Sequence, residues 1–255
     1  IVAIDLPDSV KTIGAHAFEN CTGLEAIAVP DSVEEIGSYA FYDCAALKSA
    51  TIGHSVTIIG EYIFGRCSAL ETVSFKSSIA VISDWMFYNC TSLKTIVDFP
   101  ESVNTIGNHA FEGCVALEAI TLPNTVSAIG DSAFAGCTGL KDVKLSSALI
   151  NIGASAFYNC EKLESVTLGN KVNSVGESAF LKCVALKAVY IPDIEVWCNI
   201  EFADSNSNPV GVAKNLYLDG VLLTEVVIPE SITVIGDFLF QGASNLTSIT
   251  LPAGI

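Results

Sequence analysis

The chain has 255 residues, 51% of them hydrophobic and only 16% charged, so it can bury a large interior and is excluded from the disordered class. Against 28 Asp and Glu stand 12 basic residues, Arg66 being the one arginine, and a formal charge of −16 repels a phosphate backbone, which argues against nucleic acid as a partner. Apolar runs such as Val226 to Pro229 are far shorter than the roughly 20 residues of a membrane-crossing helix, so this segment is expected not to insert into a bilayer.

Internal periodicity organises everything else. Phenylalanine recurs at 18, 41, 64, 87, 111, 134, 157 and 180, cysteine stands three residues later each time, and leucine follows three after that. The step is 23 residues, and once 24. Counted from Ile1, units begin at 1, 24, 47, 70, 93, 117, 140, 163, 186, 223 and 246, which makes ten turns and a stub.

Within one unit the elements follow in a fixed order. The apolar, variable, apolar alternation of Ile27 to Val29 has the period of two of a short strand, and Pro30 or its equivalent ends it. Val33 and Ile36 mark a second short extended segment, after which Gly37 is expected to free the next bend. Residues 38 to 44 read as a single helical turn with Ala40, Phe41 and Cys44 facing inward. A 23-residue unit cannot cover its own apolar face, so the units must stack as coils with parallel strands about 4.8 Å apart. The class is α/β: a solenoid of about ten 23-residue coils, with a parallel β-sheet on the concave side and short extended segments and helical turns on the other side.

The interval from Pro192 to Pro229 is 37 residues, one unit plus 14, so an insertion lies at about 193–222. Trp197 and Phe202 are expected to anchor it, the polar stretch Asp204 to Asn208 to form an exposed tip, and Asp219-Gly220 between alternating apolar residues to close a type I′ hairpin. The whole is read as one domain over 1–255. Both ends fall within the repeat and residue 1 is Ile, so the chain reads as an excerpt of a longer protein, with any secretion signal outside it or removed.

The pattern Leu-x-x-Ile-x-Ile-Pro-x-Ser-Val-x-x-Ile-Gly-x-x-Ala-Phe-x-x-Cys resembles the BspA-type, or Treponema-type, leucine-rich repeat of bacterial cell surfaces over nearly the whole chain. Departures are local: Ser83 replaces the glycine, Ala243 the cysteine, and Gly53, Lys76, Ser146 and Gly169 the proline. The resemblance implies an extracellular or cell-surface protein, with adhesion to host matrix or other microbial proteins as its function.

The residues themselves offer little chemistry. Eight of nine cysteines share one inward position with parallel Cβ vectors, the geometry of a row of thiols rather than of disulfides, and the spacing holds no zinc motif, so neither metal nor cofactor is expected. Cys198 is the odd one, either buried beside Trp197 or reactive. His16, His54 and His109 are scattered, His16 and His109 lying about 20 Å apart by strand spacing, so no catalytic residue is nominated and the chain is read as no enzyme.

Two columns are more informative. After the repeat leucine stand Glu25, Lys48, Glu71, Lys94, Glu118, Lys141, Glu164 and Lys187, alternating in sign, so that stacking sets each cation between two carboxylates. Two residues past the glycine stand His16, Tyr39, Tyr62, Trp85 and His109, then Ser132, Ser155 and Ser178. The candidate binding residues are Tyr39, Tyr62, Trp85 and His109, with Tyr190 from the small, Thr-rich strand face, because amphipathic rings on a rigid frame suit contact with a protein or a glycan. The alternatives are ring-on-ring stacking and, for the whole chain, a structural spacer holding another domain away from the cell envelope.

Overall fold

The computed structural model describes residues 1–255 as stacked coils whose strands pair in parallel. In the first sheet Ile27 pairs with Ala50, Ala50 with Val73 and Val73 with Ile96. A second run carries Ile120 through Val143, Val166 and Val189 to Leu216. Strands Glu225–Val227 and Ser248–Thr250 form a third. The second sheet consists of two-residue strands, from Thr12–Ile13 to Ile58–Ile59 and again from Val81–Ile82 to Glu201–Phe202. Between the walls one cluster joins 69 buried residues. The phenylalanines from 18 to 180 form a stack with centroids 5.2 to 5.9 Å apart, and all but Phe18, which is partly buried, are shut off from solvent.

The third wall is not the helical turn expected at 38–44. The amides of Ala40, Tyr42 and Cys44 bond back within the turn, to Gly37, Tyr39 and Phe41, while those of Tyr39, Phe41 and Asp43 bond to Glu61, Ile63 and Gly65 of the next coil. A helix would aim all these donors along its own axis toward carbonyls four residues back, instead of sending every second one sideways to the next coil. The alternation requires left-handed backbone at Tyr39 (φ 61°) and Asp43 (φ 55°). The repeat glycine has a different role from the one expected. Neither Gly37 nor Gly60 is left-handed, but a Cβ there would stand 2.4 Å from the Ala15 nitrogen and 2.3 Å from that of Ser38, so close approach of coils excludes a side chain.

Ser83 breaks that rule, and the second sheet breaks with it. Other junctions here make the equivalents of the Thr57 N–H to Glu34 and Gly60 N–H to Ile36 bonds; between Ile58–Ile59 and Val81–Ile82 neither is made. The Ser83 hydroxyl instead donates to the Gly60 carbonyl at 2.7 Å. Ile58 and Val81 stand exposed beside a cleft of about 260 Å³. The Phe64–Phe87 spacing, 5.9 Å, is the widest of the stack. The first sheet breaks elsewhere, at the 24-residue coil. Its extra residue is Asp98, a left-handed bulge (φ 54°) directly after strand Thr95–Val97, which does not pair with Ala119–Thr121.

The 193–222 segment is more integrated than a loop leaving the coil. Val189 pairs with Leu216, so one coil is lengthened to a step of 27 residues and another is begun at once. Helix Ile194–Cys198, capped by Asp193, buries Trp197 against Phe202, with ring centroids 5.2 Å apart. Asp219 and Gly220 both have positive φ and join Leu218 to Val221, the type I′ hairpin expected. The polar stretch is not an exposed tip. Ser207 and Asn208 are fully buried, and the Asn208 amide donates to the carbonyls of Phe238 and Leu239 at 2.7 and 3.1 Å. Lengthening that coil leaves backbone carbonyls of the following coil without a regular partner, and Asn208 supplies it. Burial would raise the Asp204 carboxyl, but donors led by the Ser178 N–H outweigh it and hold the group below its ordinary range.

Candidate recognition surface

The aromatic column forms one continuous stack. His16, Tyr39, Tyr62, Trp85 and His109 follow each other with centroids 4.9, 4.7, 4.9 and 4.7 Å apart and planes within 11° of parallel. All five sit in left-handed backbone, with φ between 53° and 61°, and each donates its N–H to a carbonyl of the next coil. Bulky residues pay roughly 1–2 kcal/mol for that conformation, offset here by the inter-coil bond and by stacking. Tyr39, Tyr62, Trp85 and His109 are half-buried and His16 is exposed.

Stacking changes what the column can offer. The three inner rings have both faces covered, so only edges with their phenol and indole polar atoms reach solvent, and no sugar or ring can lie flat on them. Tyr42 packs edge-on against Tyr39 and Tyr62, and Tyr88 against Tyr62. Their recurrence one residue past the repeat phenylalanine was the overlooked signal. Partial burial, then the neighbouring phenols, push the Tyr62 hydroxyl up. At the two ends His16 shares a hydrogen bond with Glu19 (2.8 Å) and His109 with Glu112 (2.5 Å). Glu61, Asp84 and Asp131 occupy the adjoining column, and Arg66 lies beside Tyr42. Asp84 is committed to Asn108, accepting from its backbone and side-chain amides.

Tyr190 does not belong to this strip. It lies on strand Ala188–Ile191 of the first sheet, where its ring meets Tyr217 at 5.0 Å and borders a shallow depression of about 420 Å³ beside the hairpin turn. Strand and turn walls face different ways within a coil, so the candidate residues form two separate sites.

The alternating charges are also arranged more selectively than expected. Lys48, Lys94, Lys141 and Lys187 each bond back to the glutamate of the preceding coil, at 2.7 to 3.2 Å, and none bridges forward. One ammonium reaches one neighbour well, so the column is a series of closed, exposed pairs. Hydrogen bonds from Lys48, Lys94 and Lys141 hold Glu25, Glu71 and Glu118 below the ordinary carboxylate range.

All nine thiols are unbridged and buried. The seven from Cys44 to Cys183 each donate to the carbonyl of the phenylalanine one coil back, at 3.0 to 3.2 Å. Burial pushes the Cys137 thiol up to about 12, and burial with Asp193 and Glu195 pushes Cys198 up to about 11.

A family model described as BspA type Leucine rich repeat region matches in six copies over residues 1–118, 95–208 and 211–255. A leucine-rich repeat protein from Bacteroides ovatus ATCC 8483 is similar at 24% identity, covering 100% of this chain and 70% of its own, with a TM-score of 0.62. A leucine rich cell surface protein from Faecalibacterium prausnitzii A2-165 matches at 26% identity over 95% of this chain and 83% of its own, with a TM-score of 0.37. The T. pallidum leucine-rich repeat protein matches at 25% over 74% and 68%, also with a TM-score of 0.37. No curated protein matches significantly.

Proposed function

The chain belongs to the BspA-type leucine-rich-repeat family, and on that premise we propose that it acts by noncovalent recognition of another protein, as an adhesin outside the cell or on its surface. The family and its solenoid fold are consistent with protein binding and are typically non-enzymatic. No helix is long and apolar enough to cross a membrane. The observation that carries the reading is the half-exposed strip of Tyr39, Tyr62, Trp85 and His109 with its carboxylate rim, rigidly held at one residue per coil. Weak contacts repeated along such a frame add together. A host matrix or microbial protein with a basic patch fits this edge better than a glycan, because the ring faces a sugar would need are taken. Cys198 is a poor nucleophile, being buried with its thiol raised to about 11.

The test is the combined change Tyr39→Ser, Tyr62→Ser and Trp85→Ser. Serine already occupies this position, with the same backbone, at 132, 155 and 178 (φ 53° to 56°), so the coil tolerates it. Binding to a panel of immobilised host matrix proteins is expected to fall at least ten-fold with the circular dichroism spectrum unchanged. The completed ring stack favours a second reading, a stiff spacer. On that reading the wild-type chain binds none of the panel and the variant differs only in thermal midpoint.

A further inference from the structure

The geometry points to the gap between strands Thr95–Val97 and Ala119–Thr121 as a slot in which an extended, basic segment of a partner protein docks as an added strand. This rests on the reading that the chain recognises proteins, but not on the aromatic strip. In the first sheet the residue after the repeat leucine regularly bonds its N–H to the preceding coil, as Lys94 does to Glu71 and Lys141 to Glu118. The Glu118 to Lys94 bond is absent, and the two strands share no ladder pairing at all. Two strand edges therefore face each other across the break with open donors and acceptors, and nothing has to be broken for a third backbone to meet them.

Asp98 is the cause. One extra residue in left-handed backbone turns the chain out of the sheet, and the Ser74 hydroxyl holds the Asp98 carboxylate toward the coil before. The resulting depression is about 450 Å³, with a floor of Ile96, Phe99, Leu117 and Ile120. Ile96 is only partly buried, whereas its counterpart Ile27 is 3% exposed. A smaller hollow of about 130 Å³ shares Phe99, Glu101 and Thr121 and lengthens the groove toward Lys144. Asp98 and Glu101 line it, while Lys94 is drawn away to Glu71 at 2.7 Å and Glu118 is paired with Lys141 at 3.0 Å. Backbone bonds at both edges, an apolar floor for alternate side chains and an acidic border together fit an extended segment with apolar centre and basic flanks.

The experiment is fluorescence anisotropy of the full chain with a labelled, end-blocked peptide Lys-Val-Thr-Val-Lys. Saturable binding is expected, weakened at least ten-fold when alternate peptide amides are N-methylated and when the lysines become glutamates. Deleting Asp98 restores the 23-residue step, closes the sheet and should abolish binding. In case that deletion does not fold, amide exchange at Glu118 and Ala119 of the wild-type chain is expected to slow on adding the peptide. The Tyr39, Tyr62 and Trp85 serine variant should bind the peptide unchanged, which separates this slot from the strip. No saturable binding, equal binding of the N-methylated peptide, or full binding by a folded Asp98 deletion would overturn the inference.

Discussion

At the scale of the residue, one turn position and one thiol account for how the coils hold together. Left-handed Tyr39 and its equivalents spend their amides on the next coil, and the phenylalanine carbonyl accepts twice, from the cysteine amide of its own turn and from the thiol of the next coil. A buried carbonyl with a spare lone pair explains why this place takes cysteine, whose thiol both fills space and donates, where alanine would do neither. These thiols also predict a pH profile. In the unfolded chain they titrate near 8.5, whereas folded Cys137 is raised to about 12. A raised folded value leaves stability intact below the unfolded value and removes it as pH climbs toward the folded one, by about 1.4 kcal/mol per pH unit for each such thiol. The urea midpoint is expected to hold from pH 7 to 8.5 and fall by 9.5, less steeply in Cys137→Ala; a level profile to 9.5 would contradict it.

At the scale of the element, the two sheets fail at different junctions for different reasons. Ser83 puts a Cβ where coils approach too closely for one, and Asp98 adds a residue to a strand end. The turn wall runs unbroken past both, as the bonds from Tyr62 to Asp84 and from His109 to Asp131 show. Ile63 and Met86, which replace the repeat alanine in the two coils flanking the Ser83 break, fill the interior where the phenylalanine spacing widens to 5.9 Å. Ser83→Gly is expected to let the second sheet close, so that the amides of Ala80 and residue 83 exchange with solvent at least ten-fold more slowly by NMR. Unchanged exchange at both would show that the serine is not what holds the sheet open.

At the scale of the whole molecule, stability is a sum over junctions between neighbours, so whole coils should be removable. The charge column adds a condition. Removing residues 140–162 brings Glu118 beside Glu164, whereas removing 140–185 brings Glu118 beside Lys187 and restores an opposite pair. The longer deletion is expected to lose less stability per coil removed, judged from urea midpoints at low salt, and the difference should shrink at 1 M salt, where screening acts over about 3 Å. If the one-coil deletion is the more stable, the column has no bearing on register.

The period of 23, the inward set of Leu, Ile, Phe and Cys and the hairpin at Asp219-Gly220 were legible from the residues alone, because a repeated pattern can satisfy its apolar face only by stacking. The aromatic column was legible too, with ring-on-ring stacking as one of its two readings, but the sequence did not decide between them. Nor was it legible that Asn208 is buried or that lysines pair only backward. Those outcomes turn on distances between coils, which the tertiary structure sets through backbone contacts at positions such as Gly37, Ser83 and Asp98. Spacing along a chain tells which side chains share a column; the approach of one coil to the next decides what each of them can still touch.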